Sequence, residues 1–286
     1  MTGRPGARPP RIDLHLHTTA SDGRCSPAAL VEHAEAAGLT VIAATDHDTT
    51  AAVGEVRKLA AARGIDAIPG IEITAVEDGR DVHMLGYFLT SSDAFQAFLA
   101  DQRRARVDRV HAIAARLAEL RMPVDMTRAL EEAARHGSRA IGRPQIARAM
   151  VQAGHVADTR EAFEKWLGAG LPAFVPRSGP SPEAVIGTIH RAGGLASLAH
   201  PGRTQIDGRI AALRDAGLDA LEVHHPDHDA AAVERYRRMA DDLGLLITGG
   251  SDYHGDPVHG IAIGAATLPP DAWERLYAAR HRHAGA

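Results

Sequence analysis

Short apolar runs recur along the chain between Ala-rich stretches with helical spacing. The β-type runs are Ile12 to Leu16, Thr40 to Ala44, Ala67 to Ile71, Leu195 to Ala199, Ala220 to Val223, Leu245 to Thr248 and a final one at Ile261 to Ala265. Helical patterns fall near Pro27 to Ala37, Thr50 to Arg63, up to Ile189, Ile210 to Ala216 and Ala230 to Leu243. Strands separated by single helices predict parallel βαβ units. Local signals agree: Ser26 before Pro27 makes an N-cap with proline at the first helical position, and Gly38 stands where that helix should close. A further strand, Val82 to Phe88, is expected to pair with Ile73 to Val76 across the turn Glu77-Asp78-Gly79-Arg80.

The β signal disappears between about Ser92 and Pro180. A stretch rich in Arg, Ala, Leu and Glu takes over, with helical spacing at Val107, Val110, Ile113, Leu117 and Leu120. The expected fold is therefore α/β: a barrel of about seven strands interrupted by a small helical domain. Its parts are 11–91 and 181–286 for the barrel and 92–180 for the insertion, after a disordered extension at 1–10 that has no secretory-signal core.

Composition narrows the function. At 286 residues with 45% hydrophobic and 24% charged positions, the chain is ordinary for a globular protein, and a net charge of −4 offers no global attraction to polyanions. A large nucleic-acid scaffold is disfavoured as a partner, no obligate protein partner is evident, and recognition must be local. No apolar run approaches the roughly 20 residues that span a bilayer, so no membrane is expected. Cys25 is the only cysteine, which excludes an internal disulfide, suits a cytoplasmic location and makes thiolate metal ligation unexpected. It reads as a small buried filler.

Chemistry gathers at the ends of the apolar runs. In Ile12-Asp13-Leu14-His15-Leu16-His17, alternation places Asp13, His15 and His17 on one strand face. Asp22 lies in the next loop; His47 follows the second run in Thr45-Asp46-His47-Asp48; Glu72 follows Ile71; His200 follows Ala199; Asp252 and His254 follow the Leu245 run. In a parallel barrel these ends converge on one rim, where clustered imidazoles and carboxylates bind metal ions. His83, near a strand start, reaches the rim only if its strand is reversed. The remaining histidines His33, His111, His136, His155, His190, His281 and His283 lie in helical patterns or the tail and are expected to be solvated or packed.

These residues and spacings resemble the polymerase and histidinol phosphatase (PHP) family, with its motifs D-x-H-x-H, T-D-H, G-I-E, H-x-x-G-Y, A-H-P and S-D-x-H. The matches are Asp13 to His17, Thr45 to His47, Gly70 to Glu72, His83 to Tyr87, Ala199 to Pro201 and Ser251 to His254. The resemblance implies a distorted (β/α)7 barrel and a metal-dependent phosphoesterase. It also implies two or three divalent ions, with manganese the first choice and zinc or iron the alternatives. One ion would sit on His15, His17, Glu72 and Asp252, a second on Glu72, His83 and His200, and a third on Asp22, His47 and His254. Glu72, Asp252 and His200 are the implied catalytic residues. Metals about 3.5 to 4 Å apart stabilise the attacking and leaving oxygens at phosphorus and acidify a bridging water into the attacking hydroxide. Asp13, Asp46 and Asp48 are expected either to orient ligand imidazoles or to stabilise turns.

The insertion is similar to a subgroup acting on nucleoside 3′,5′-bisphosphates and, in some members, trimming short 5′-phosphorylated RNAs. Its segment G-R-P-H-I-A reads Gly142-Arg143-Pro144-Gln145-Ile146-Ala147 here, with Gln145 in place of histidine. Arg143 and Arg177, with Ser138 and Arg139 behind them, are expected to bind a phosphate that is not hydrolysed. The phosphorylated nucleotide or short oligonucleotide is thus the expected partner, with its 3′-phosphate removed. Histidinol-phosphate hydrolysis and a non-catalytic metal or nucleotide sensor are the alternatives. His224 and His225 end a strand and stay outside the ligand set.

Overall fold

The computed structural model describes residues 9–136, 139–255 and 260–285; the expected disordered extension lies almost wholly outside them. Among the described residues seven strands form one sheet in sequence order: β1 (Ile12–Leu16), β2 (Val41–Ala44), β3 (Asp66–Glu77), β4 (Arg80–Tyr87), β5 (Leu195–Leu198), β6 (Ala220–His224) and β7 (Leu246–Gly249). The pairs β1–β2–β3 and β5–β6–β7 are parallel, whereas β4 runs antiparallel to both β3 and β5. Helices α1 (Pro27–Ala36) and α2 (Val53–Ala61) connect the first strands. The later connections contain α7 (Pro182–Arg191), α8 (Pro201–Thr204), α9 (Ile210–Asp215) and α10 (Ala230–Leu243), and α11 (Pro270–Ala278) is the last regular element among the described residues. Ser26 caps α1 by accepting from Ala29 N, with Pro27 beginning the helix as its fixed φ favours.

Among the described residues every regular element between β4 and β5 is helical up to α7: α3 (Asp93–Glu119), α4 (Thr127–His136), α5 (Arg143–Gln152) and α6 (Thr159–Ala162), which runs on into a π turn at Phe163–Leu167. These helices enclose their own apolar cluster, including Val110, Ile113, Leu117, Ile146, Met150 and Leu167. A separate cluster fills the barrel, where Leu14, Val41, Leu85, Tyr87 and Leu195 meet Leu268 and Leu276. Tyr87, fully buried, donates its hydroxyl to Leu14 O at 3.0 Å, which ties β4 to β1 and satisfies a polar atom that burial would otherwise strand.

The sheet nearly closes between β7 and β1. Ser251 donates its backbone N–H to Asp13 Oδ1 at 2.9 Å and its hydroxyl to Oδ2 at 2.6 Å, and His17 N donates to Tyr253 O at 2.9 Å. Two expectations need correcting. Ile261 to Ala265 is not a strand: it is a turn in which Gly264, at φ +72°, donates its N–H to Asp13 Oδ2 at 2.9 Å, and α11 takes over the packing beyond it. The runs Ala67 to Ile71 and Ile73 to Val76 are one continuous strand, β3, with Glu72 in its middle.

The close approach at the seam depends on Gly250. A Cβ there would lie 2.3 Å from His15 N and 2.4 Å from His15 Cβ, so backbone must move. Gly250→Ala should destabilise the fold by about 1–3 kcal/mol, the usual cost of overpacking, read as a lower urea midpoint at unchanged slope. An unchanged midpoint would show that the seam is slack.

Candidate metal centre

Each strand end delivers its residue to the rim by a local device. His15 lies on β1 and His17 one residue past it, both fully buried. His47 follows β2, Glu72 sits mid-β3, and His83 is carried on the rim-side half of the reversed β4, opposite Thr74. His200, Asp252 and neighbouring Asp48 take left-handed φ of 26°, 51° and 50°. Non-glycine residues adopt that region at a cost of order 1–3 kcal/mol each, which the surrounding contacts must hold in place.

Glu72, 1% exposed, is the hub. Its Oε2 lies 3.2 Å from His15 Nε2, His17 Nε2 and His47 Nδ1, and its Oε1 lies 2.7 Å from His83 Nδ1 and 3.2 Å from His200 Nε2. Asp252 Oδ1 is 3.3 Å from His15 Nε2 and 3.2 Å from His17 Nε2. Asp22 closes the other side, 3.2 Å from His254 Nε2 and 3.6 Å from His47 Nε2. All nine rim residues therefore come together. Donor atoms of eight of them form three groups, each within 4.8 Å: His17, Asp22, His47 and His254; His15, His17, Glu72 and Asp252; His47, Glu72 and His83, the last with His47 where His200 was expected. His200 touches the cluster through Glu72 Oε1 alone among these carboxylate oxygens.

The electrostatics are those of a site short of positive charge. Burial alone would raise the carboxyl of Glu72, but His47, His83 and His15 hold it well below its usual range, and Asp22 and Asp252 are lowered likewise by their histidines. Burial depresses His47 to about 3 and His200 to about 4, leaving them neutral donors. Against its burial, His17 is pushed up to about 10 by Asp252 and Glu72, and His15 also rises. Both ring nitrogens of His17, with His47 Nδ1 and His200 Nδ1, are buried without a hydrogen-bond partner of adequate geometry. Nitrogen and oxygen donors crowded at such distances, with no sulfur among them, fit shared divalent cations that would take the place of the ring protons on His15 and His17.

Sequence reasoning missed the residue that aims this cluster. Glu222, fully buried on β6, accepts from His15 Nδ1 at 2.9 Å and from His200 N at 2.7 Å, so it fixes one ring and one backbone turn together. A carboxylate inside the apolar run Ala220-Leu221-Glu222-Val223 was the available signal. Among the described residues none of Asp13, Asp46 and Asp48 is hydrogen-bonded to a ligand imidazole ring; Asp46 stabilises the loop after β1, whereas Asp13 and Asp48 tie separate segments together. Asp46 accepts from Thr18 and Ser21, and Asp48 accepts from Thr74 N and from Arg106 and Arg177. His225 is buried with Nε2 3.5 Å from Asp252 Oδ2, behind the cluster.

A cavity of about 710 Å³ opens from the cluster toward the insertion, lined by Arg143, Arg177, Arg106, Arg109, Phe163 and Phe174 among others. Arg143 and Arg109 share Asp81, each 2.9 Å from its Oδ2, and together they lower that carboxyl to about 2 against its burial. Arg109 Nη2 and Arg177 Nε are buried without partners. Arg109 escaped the sequence reading, although Arg103, Arg106 and Arg109 recur at helical spacing on α3. Arg139 instead pairs with Glu132 at 2.8 Å and is not among the cavity-lining residues, and Ser138 lies outside the described residues. Gln145 accepts from Gly142 N at 2.9 Å and donates to Ser21 O at 3.1 Å, clasping the start of α5 to the Asp22 loop.

Comparison with known proteins gives a consistent match. The sequence profile of the PHP domain matches residues 13–162. The chain is 32% identical over 277 residues to a 3′,5′-nucleoside bisphosphate phosphatase of Chromobacterium violaceum, covering 93% of this chain and 96% of that protein. It is 34% identical over 274 residues to the 5′-3′ exoribonuclease Rnm of Escherichia coli, covering 93% and 92% respectively. A crystal structure described as a metal-dependent phosphoesterase from Bifidobacterium adolescentis superposes with a TM-score of 0.84 at 34% identity, over 95% of this chain and 97% of that one.

Glu222→Gln tests how the cluster is aimed. The amide keeps the volume but turns a donor toward His15 or His200, so divalent-metal affinity should fall about 10–100-fold while circular dichroism is unchanged. Competitive chelator titration measures it, and equal affinities would remove Glu222 from the site.

Proposed function

The chain belongs to the PHP family and is a metal-dependent phosphoric ester hydrolase, and from that premise we propose that it removes the 3′-phosphate of nucleoside 3′,5′-bisphosphates and trims short 5′-phosphorylated RNA. The reading is carried by one observation: the Glu72 cluster opens directly into a cavity whose arginines include buried guanidinium nitrogens without partners. A second phosphate, held away from the reacting one, meets that unmet demand by charge-assisted hydrogen bonds. A volume of about 710 Å³ suits a nucleotide.

In this reading His15, His17, Glu72 and Asp252 hold one divalent ion, Glu72, His83 and His200 a second, and Asp22, His47 and His254 a third. Manganese is the first choice, with zinc or iron the alternatives. Bound ions would act as Lewis acids on the phosphoryl oxygens and activate the attacking water. The residues do the rest. Glu72 and Asp252 would supply the negative charge that offsets bound dications, and neutral His200 completes the rim beside the reacting ester. Arg143, Arg177 and Arg109 grip the distal phosphate, while Phe163 and Phe174 give the base an apolar wall. Residues 92–180 act as the substrate cap over barrel parts 11–91 and 181–286. Among the described residues no helix is long and apolar enough to cross a membrane, and we place the enzyme, with its lone Cys25, in the cytoplasm.

The test is turnover after chelation and re-addition of Mn²⁺. Phosphate release from adenosine 3′,5′-bisphosphate should greatly exceed that from the monophosphate or histidinol phosphate, and Glu72→Ala should abolish it. Arg143→Ala should raise KM for the bisphosphate about 10–100-fold, the worth of a charge-assisted contact, with kcat nearly unchanged. Preference for histidinol phosphate, or no hydrolysis by a metal-loaded chain, would sink the proposal.

A further inference from the structure

A second convergence of imidazoles and a carboxylate lies at the opposite end of the barrel from the rim. Asp219, just before β6, is 3% exposed; its Oδ2 accepts from Ala196 N at 3.0 Å and lies 2.8 Å from His190 Nε2. Its Oδ1 lies 3.0 Å from His283 Nε2 and 2.9 Å from Arg282 Nη1. His190 comes from the last turn of α7 and His283 from the tail beyond α11, and their rings stack with centroids 3.6 Å apart at 17°. Two histidines expected to be merely solvated or packed are thus brought from distant segments onto one buried carboxylate.

Beside the exposed Arg282, the imidazoles bring two nitrogen donors to one buried carboxylate, one to each oxygen, with all three ligand atoms within 4.8 Å. The geometry points to a second divalent-cation site formed by His190, Asp219 and His283, separate from the catalytic rim. Two imidazoles and one carboxylate form a ligand set that suits zinc and leave a fourth position for water. The site stands the length of β6, ~17 Å at 3.3 Å per residue, from His224 at the strand's rim end. Arg282 occupies the cation's place on Oδ1, but its side chain is 47% exposed and free to swing into solvent when the ion enters. The bound ion clips the C-terminal tail to α7 and to the barrel floor.

The full chain, stripped with chelator, is loaded with Zn²⁺ alone, desalted and assayed for zinc by mass spectrometry. Wild type should retain one zinc more per chain than either His190→Ala or His283→Ala, and zinc should raise its unfolding midpoint more. Both variants should keep native circular dichroism and Mn²⁺-supported hydrolysis equal to wild type, which separates this result from any loss at the rim. Arg282→Ala should hold the additional zinc about fivefold more tightly, the scale of one exposed charge contact removed. Equal zinc content in wild type and both histidine variants, or weaker zinc binding in Arg282→Ala, overturns the site.

Discussion

A carboxylate buried among five imidazoles is the constraint on which the rest of this molecule turns. Removing an ion of this kind from water costs several kcal/mol even after relaxation, and Glu72 is joined by Asp22 and Asp252, nearly as deeply buried. No apolar packing can offset three such charges. What offsets them is convergence: each strand must bring its nitrogen or oxygen within about two metal–ligand bond lengths of the others. The barrel supplies that because all the loops that matter open on one side.

Holding the convergence requires anchors that are not themselves ligands. Asp13 accepts from His15 N, Ser251 N, Ser251 Oγ and Gly264 N, and so joins β1 to the segments after β7 at the weakest point of the sheet. Burial still pushes its carboxyl up to about 6, a measure of how dry the seam is. Asp46 and Asp48 tie the loops after β1 and β2 to β3 and the insertion. The anchors are hydrogen-bond acceptors for backbone, hydroxyl and arginine donors, and Glu222 alone among these carboxylates aims a ring of the cluster.

Much of this was legible in the sequence, for a physical reason. Short strands flanked by turn residues leave a strong periodic trace, and polar residues at their ends stand out because packing does not call for them. The trace fails where local pattern and tertiary role diverge. Ile261 to Ala265 is apolar and short, which strand and turn satisfy equally, and only its bonding to Asp13 decides between them. Glu72 looked like the end of a strand because a charge in mid-strand is rare; here β3 runs straight through it. Glu222 and Arg109 were hidden by their neighbours, an apolar run and an arginine-rich helix. His190 and His283 could not be joined on paper, since 92 intervening residues separate them and nothing local marks the meeting point.

The reversal of β4 has a geometric consequence for everything above the rim. By running the other way it leaves the chain at the floor, where Thr90 N bonds Ala192 O near the end of α7. A segment destined for the mouth must then travel the full height of the molecule. Helix α3 is that strut: at 27 residues it reaches ~40 Å, long enough to lean on the barrel wall at Phe95 and Leu99 and still enter the upper core at Val110 and Ile113. Its guanidinium groups meet the site partway up, like rungs, so the same inversion that turns His83 inward also sets the height at which cationic side chains can approach.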